Sequence, residues 1–217
     1  MGRVVLMPEG IEDYVARIEA ELDEDRRLAL DPAGIPGWEI FPFEAEGLRL
    51  KPVDRLAEVE APRFGEDPKT CACTEPGRSA DGLVWQDDDW RLSVHEPSGA
   101  PLLVMLQPVA HHDLADLPDH LAEQMGRIMV HLGAAIEALP SVGRVHISKW
   151  GDGGAHLHLF FYGRPARMPQ LRGTCMALWD DFLPPIPVAV QQANVRAVVE
   201  RLEASIGGRA VGPAASG

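Results

Sequence analysis

Apolar and polar residues follow regular periods along most of the chain, and the period changes near residue 71. Residues 11–30 carry apolar side chains at three- and four-residue steps between acidic ones, which predicts an amphipathic helix. Residues 38–70 are rich in Pro and Glu, carry scattered aromatic anchors and show no period. We therefore predict an N-terminal extension over residues 1–70, formed by a helix and an arm without an independent core.

After this point the pattern is that of an α+β domain. Short apolar runs predict strands at 82–85, 90–94, 102–106, 145–148 and 156–161. Helical periods predict helices at 118–139, 174–183 and 188–206. The last two strands are joined by a glycine-rich turn from Lys149 to Gly154, so we expect them to pair as a hairpin. The small-residue segment 207–217 is predicted to be a flexible tail, which leaves 71–206 as the folded domain.

Composition and charge narrow the functional classes. The 217 residues carry a net charge of −13 with histidine neutral, which argues against a general binder of DNA, RNA or anionic membranes. No apolar run approaches the roughly 18–20 residues that span a bilayer, and the N-terminus has no signal-peptide core. Three cysteines are too few for a disulfide scaffold. We expect a cytoplasmic protein with no nucleic-acid or membrane partner.

The sharpest local feature is the sequence His156-Leu157-His158. Alternate residues of a strand share a face, so both imidazoles are expected to point the same way, about 6–7 Å apart. Leu157, Leu159 and Phe161 would then fill the opposite, core-facing side. The alternative is a pair of incidental histidines.

Basic residues are concentrated around this histidine pair. Residues 141–175 hold five cations against one acid, a net of +4, and these are Arg144, Lys149, Arg164, Arg167 and Arg172 against Asp152. Cations beside the free backbone amides of a glycine-rich turn can bind a phosphate without making the whole protein basic. A solvated basic loop is the alternative.

Two cysteines and two histidines form a second candidate site. Cys71, Cys73, His111 and His156 would supply the two thiolates and two imidazoles of a closed tetrahedral zinc site. Only one residue separates the cysteines, whereas the commoner zinc knuckle has two. Two reduced cysteines in a loop are therefore the alternative, and His112 could replace His111.

Three segments resemble motifs of the histidine triad (HIT) proteins. The segment from Gln107 to Leu117 resembles the family's Pro-x-x-His segment, and Gly151 to His158 resembles its glycine-rich turn and His-x-His-x-His strand. Cys71-x-Cys73, followed by Gly82 to Asp88, is similar to the opening of zinc-containing bacterial members. The resemblance covers about residues 71–185.

The resemblance implies an antiparallel sheet with flanking helices, pairing as a homodimer, and a bound Zn²⁺ with a structural role. It also implies a nucleotidyl hydrolase or transferase that acts on nucleoside polyphosphates or nucleotide conjugates. His158 falls at the position of the nucleophile, which forms a nucleotidyl-histidine intermediate, and His156 and His111 match the zinc-ligand histidines. The candidate substrate-binding residues around it are Ser148, Lys149, Gly153, Gly154, Arg164, Gln170 and His146.

Phe160 departs from the family pattern, because it stands where the triad has its third histidine, or the transferases a glutamine. Phenylalanine donates no hydrogen bond, and its presence costs on the order of 10²–10³ in rate unless Arg164, Arg167 or Gln170 substitutes. Two alternatives therefore stay open. One is a zinc-containing protein of this fold that binds a nucleotide or partner without turnover, and the other is an enzyme for another phosphorylated or carboxylated metabolite.

Overall fold

The computed structural model describes residues 19–20, 22–27, 52, 55–74, 82–181 and 183–212. The chain divides into two compact units, Met1–Ala61 and Pro62–Gly217. The helix predicted over 11–30 and most of the arm predicted over 38–70 lie outside the described residues. In the first unit, Asp23 Oδ1 accepts hydrogen bonds from the backbone N–H groups of Asp25 and Arg27, at 3.0 and 2.7 Å, which closes a tight turn.

The second unit is an α+β fold built on one antiparallel sheet. Its strands within the described residues are β1 Leu83–Gln86, β2 Trp90–Val94, β3 Leu102–Pro108, β4 Val142–Ser148, β5 Leu159–Pro165 and β6 Arg209–Ala210. Their spatial order is β4-β5-β3-β2-β1-β6, and each neighbouring pair is antiparallel. Its α-helices in the same described ranges are α1 Asp119–Glu137, α2 Cys175–Asp180 and α3 Val188–Ile206. None of these described helices is long and apolar enough to cross a membrane.

The two faces of the sheet differ because side chains alternate along each strand. On β3, Val104 and Leu106 are fully buried and share one apolar core with Leu132 of α1 and Leu202 of α3. Helices α1 and α3 therefore cover this face. The intervening residues, such as the half-buried Met105, lie on the opposite face. This opposite face carries the candidate site.

Most predicted elements are confirmed, and the main shift in bounds is at β5. The strand begins at Leu159, three residues after the predicted start at His156. The preceding backbone bonds to other segments: the N–H of Leu157 donates to the His112 carbonyl at 2.7 Å, and that of Ala155 to the Phe64 carbonyl at 3.0 Å. His156 and His158 therefore lie just before the strand, in a segment fixed by backbone hydrogen bonds to other parts of the chain.

The segment after α3 differs from the predicted flexible tail. Arg209 and Ala210 pair with β1, and the N–H of Val211 donates to the Val84 carbonyl at 2.9 Å. The indole N–H of the buried Trp85 donates to the Gly207 carbonyl at 3.0 Å. These contacts add an edge strand within a segment rich in Gly and Ala. Residues 213–217 lie outside the described residues.

Candidate metal centre and active site

The segment that carries the two cysteines is attached to the glycine-rich turn by backbone hydrogen bonds. The N–H of Phe64 donates to the Gly153 carbonyl at 3.1 Å, and the Phe64 carbonyl accepts from Ala155 at 3.0 Å. Gly65 follows with φ of +76°, a conformation that suits glycine, and a Cβ at this position would lie 3.2 Å from the Cys71 Cβ. The turn after Phe64 therefore directs the chain toward the cysteines.

Side-chain ion pairs reinforce this attachment. Arg63 Nη1 lies 2.7 Å from Asp113 Oδ2 and also donates to the Gly151 carbonyl at 3.2 Å. Lys149 Nζ lies 3.3 Å from the other oxygen of the same carboxylate. Partial burial acts to raise the pKa of Asp113, but the hydrogen bonds from Arg63, the Leu114 backbone and Lys149 outweigh it and lower the pKa. The charged network joins the cysteine segment, the loop after β3 and the glycine-rich turn.

The four predicted metal-ligating residues lie together. Cys71 ends one short 3₁₀ turn, Pro68–Thr70, and Cys73 lies in the next, Ala72–Thr74. One ligand atom from each of Cys71, Cys73, His111 and His156 lies within 4.8 Å of all the others. Two consecutive tight turns therefore bring both sulfurs to one point with a single residue between them.

The distances within this cluster fit a tetrahedral site. Cys71 Sγ lies 3.6 Å from His156 Nδ1, and Cys73 Sγ lies 3.6 Å from His111 Nδ1. A sulfur at about 2.3 Å and a nitrogen at about 2.0–2.1 Å from one zinc ion lie about 3.5 Å apart in a tetrahedron. The donor set of two thiolates and two imidazoles is also one that zinc prefers. The residues present therefore fit a closed zinc site.

Hydrogen bonding and burial fix the tautomer and the protonation state of His156. His156 Nε2 lies 2.9 Å from the Pro108 carbonyl, which only accepts, so Nε2 carries the proton and Nδ1 presents its lone pair to the cluster. Burial lowers the pKa of His156 to about 4, so the ring is neutral at pH 7. Burial, followed by the hydrogen bond with Cys71, raises the pKa of the Cys73 thiol to about 11. The histidine is ready to ligate, whereas Cys73 must first lose a proton.

His158 lies outside the cluster and has a free ring nitrogen. Its Nδ1 donates to the His156 carbonyl at 2.8 Å, since a carbonyl can only accept. In the neutral ring this leaves the lone pair on Nε2, and no described residue donates a hydrogen bond to that atom. The arrangement is the one that an imidazole nucleophile needs.

A cavity of about 310 Å³ lies beside this imidazole. Its lining within the described residues comprises Phe64, Cys71, Ala72, Cys73, Arg91, His95, Met105, Gln107, Gly154, His156, His158 and Phe160. The Phe160 ring meets the His158 ring edge to face, with centroids 5.4 Å apart. The cavity is of ligand size and combines apolar walls with a few polar groups.

Arg91 is a functional candidate that the sequence analysis missed. It lies on β2, where its register partner on β3 is Gln107, and its side chain lines the same cavity as His158. The residue is only 9% exposed, and its Nε is buried without a hydrogen-bond partner. The available signal was the alternation of β2, in which Trp90 and Leu92 enter the core and Arg91 must face the other way.

The predicted substrate-binding residues are dispersed. Of them, Gly154 lines the His158 cavity, while His146 and Ser148 line a neighbouring cavity of about 180 Å³ with Trp150 and Tyr162. Lys149 is paired with Asp113, and Nη1 of Arg164 donates to the Pro165 carbonyl at 2.9 Å. The Gly153 carbonyl accepts a hydrogen bond from the Phe64 N–H, and Gln170 is exposed. His146 Nδ1 is buried without a partner, and burial, followed by the charge of Arg164, lowers the pKa of this histidine.

No protein-family model and no curated protein sequence matches the chain. Among solved structures, a zinc-bound histidine triad family protein from Mycobacterium smegmatis is 15% identical with a TM-score of 0.44, covering 59% of this chain and 88% of that one. A histidine triad protein from Marinobacter aquaeolei VT8 is 19% identical with a TM-score of 0.45, covering 57% and 91%. A hypothetical histidine triad nucleotide-binding protein from Sulfolobus tokodaii strain7 is 12% identical with a TM-score of 0.47, covering 65% and 99%.

Proposed function

We propose that this protein is a HIT-like nucleotidyl hydrolase or transferase that acts on a nucleoside polyphosphate or nucleotide conjugate through His158. The observation that carries the proposal is the state of that imidazole. Its Nδ1 is held by the His156 carbonyl at 2.8 Å, and the ring lines a cavity of ligand size. The motif resemblance assigns the nucleophile to the same position.

In the proposed reaction, Nε2 of His158 attacks the α-phosphorus of the substrate. A P–N bond forms while the P–O bond to the leaving group breaks, and the electron pair goes to the leaving oxygen. Water or an acceptor hydroxyl then attacks the same phosphorus, the P–N bond breaks, and its electron pair returns to Nε2. The proton of the attacking hydroxyl goes to solvent. The hydrogen bond from Nδ1 to the His156 carbonyl stabilises the positive charge that the ring carries in the intermediate.

Cys71, Cys73, His111 and His156 would hold the zinc ion. Four protein ligands close the coordination sphere, so the ion when bound supplies structural rigidity and no open position for substrate. His156 is the link between the two sites, because its ring faces the cysteines while its carbonyl accepts from the His158 ring. Fixing His156 thereby limits the orientations of the nucleophile.

The proposal is tested by assaying the zinc-loaded protein against a panel of dinucleoside polyphosphates, nucleoside phosphoramidates and nucleotide sugars, with products separated by chromatography. We expect release of a nucleoside monophosphate, or its transfer to an added acceptor, from at least one class. Absence of turnover across the panel, together with absence of a histidine adduct, would contradict the enzymatic proposal.

Replacing Phe160 by histidine or glutamine is expected to raise turnover roughly tenfold or more, since either side chain can donate a hydrogen bond where charge develops. The Phe160 and His158 rings lie 5.4 Å apart, so the new donor would be next to the reacting group. Phe160→Leu is the matched control and is expected to give no gain. Equal rates for all four proteins would mean that the missing donor does not limit the reaction.

A protein that binds nucleotide without turnover is the second candidate, and the observation that favours it is Phe160 itself. This residue places an apolar ring beside His158, where the family has a polar one. The two candidates differ in one readout. A binding protein would show saturable nucleotide binding with no product and no adduct. Phe160→His would then be the first variant to assay for turnover.

Zinc binding at pH 7 is expected to release at least one proton per ion. In the metal-free protein the pKa of Cys73 is about 11, so this residue is a thiol and must become a thiolate on ligation. Calorimetric titration in two buffers of different ionisation enthalpy measures the number released. Zinc binding that releases no proton would contradict ligation by Cys73, and Cys73→Ser provides the comparison.

A further inference from the structure

Arg91 is the feature of the His158 cavity that the reaction above does not use. It is nine-tenths buried, with 9% of its surface exposed; its Nε has no hydrogen-bond partner, and within the described residues its guanidinium forms no ion pair. A buried guanidinium without an acceptor is costly, because the charge loses its hydration and gains no partner. Such a residue implies an anion that occupies the site in the working protein.

The cysteine cluster is the first candidate for that anion. Burial lowers the pKa of Arg91, and the nearby Cys73 and Cys71 act in the opposite direction. Two thiolates and one Zn²⁺ ion together carry no net charge, so a zinc-loaded cluster leaves the guanidinium uncompensated. Arginine remains protonated in proteins despite such a shift. The compensating charge must come from elsewhere.

The cavity itself offers no such charge. None of the described residues that line it is Asp or Glu. The other cations near the glycine-rich turn already have partners: Arg63 and Lys149 share the carboxylate of Asp113, and Arg164 donates to the Pro165 carbonyl. Among the described residues, Arg91 is therefore the arginine or lysine that lines the cavity, and its Nε is open to a ligand.

We propose that Arg91 binds the anionic oxygens of a phosphate ester whose apolar part lies against Phe64, Met105 and Phe160, with His158 facing the same cavity. The planar guanidinium presents parallel N–H donors that match two oxygens of a phosphate. The inference rests on the proposed function: Arg91 on β2 would stabilise the phosphate charge, which Phe160 cannot do. Arg91 is thus a substrate-binding residue located outside the three motif segments.

The test uses the zinc-loaded full chain and measures binding of AMP, phenyl phosphate, adenosine and benzoate by calorimetry. Arg91→Gln is expected to weaken AMP and phenyl phosphate roughly 10- to 100-fold and to leave adenosine unchanged. Arg91→Lys should recover only part of the loss, because it keeps the charge without the fork. Arg127→Gln, which changes an exposed residue of α1, makes the same change in net charge and is expected to bind like wild type.

Zinc content and melting temperature are measured on every variant. Unchanged phosphate-ester affinity in Arg91→Gln would overturn the inference, and so would Arg91-dependent binding of benzoate but of neither phosphate ester. If Arg91→Gln loses zinc and Arg91→Lys restores both zinc and full phosphate affinity, Arg91 supports the thiolates and the inference is wrong. If Arg91→Gln does not fold, the affinity of Arg91→Lys for the phosphate esters is compared with wild type: a loss supports the inference, and an unchanged affinity overturns it.

The same experiment separates this inference from the proposed function. Nucleotide turnover through His158 with AMP affinity that does not depend on Arg91 would support the enzymatic function and contradict the anion site at Arg91. Phenyl phosphate binding that depends on Arg91, without turnover of any nucleotide, would support the anion site at Arg91 and contradict the enzymatic function.

Discussion

His158→Ala is expected to lower nucleotide turnover at least about 10³-fold while leaving the fold and the zinc content intact. The substitution removes the atom that forms the P–N bond in the proposed reaction. Because the ring lies outside the cysteine and histidine cluster and is only half-buried, its loss leaves the four ligands in place. Steady-state rates, metal analysis and thermal melting on the same preparation measure all three effects.

The matched control for this variant is His120→Ala, which removes an exposed imidazole of α1. It is expected to retain wild-type turnover. His158→Ala with a rate within threefold of wild type would rule out this residue as the nucleophile. A fall in both rate and zinc content would instead assign His158 to the support of the metal cluster.

Removal of zinc is expected to lower the melting temperature by roughly 10 °C or more. Zinc bound to two thiolates and two imidazoles contributes several kcal/mol to folding, and about 1 kcal/mol shifts the melting temperature of a chain of this size by about 2–4 °C. The cluster joins the cysteine segment to the loop after β3 and to His156, so its loss releases all three. Melting with and without a chelator, together with metal analysis that gives one zinc per chain, provides the measurement.

Cys71→Ser and Cys175→Ala form the matched pair for this test. Cys71 belongs to the cluster, whereas Cys175 is a buried residue at the start of α2 that lies outside it. We expect Cys71→Ser to lose zinc and its stabilisation, and Cys175→Ala to retain one zinc ion per chain. Retention of zinc by both variants would show that the ion binds elsewhere.

The periodic elements of the fold could be predicted from the sequence because burial imposes its own spacing. Helix α3 has the predicted bounds, Val188–Ile206, and β2 has the predicted bounds Trp90–Val94. The start of β5 could not be predicted, because Leu157 has the apolar character of a strand residue yet bonds to His112. Strand β6 was missed since two residues carry no period, and its position depends on Trp85 and β1.

The cluster of two cysteines and two histidines could be predicted from residue chemistry, because thiols and imidazoles in these motifs have few common roles together. What the sequence leaves open is the choice between His111 and His112. The structure brings His111 to Cys73, whereas the ring of His112 lies 3.9 Å from Asp116. The choice depends on the course of the loop after β3, which no local pattern encodes.

For the basic residues predicted to bind phosphate, counting charges along the sequence gives an incomplete picture. The excess of basic residues around the glycine-rich turn is real, but Lys149 is paired with Asp113, and Arg164 bonds to the backbone near its own strand. Arg91 stands alone in an apolar strand and adds nothing visible to a charge cluster. Its significance comes from its Nε, which has no partner among the described residues in the folded cavity, and this is a property of tertiary structure.

Mass spectrometry of the zinc-loaded protein, quenched during turnover, tests whether His158 becomes covalently attached to the nucleotide. We expect an intact mass raised by one nucleotidyl group, lost on mild acid treatment, and mapped to the peptide that contains His158. The His158→Ala protein should carry no such group. Active wild-type protein that accumulates no adduct under any quench, or an adduct mapped to another residue, would contradict the account.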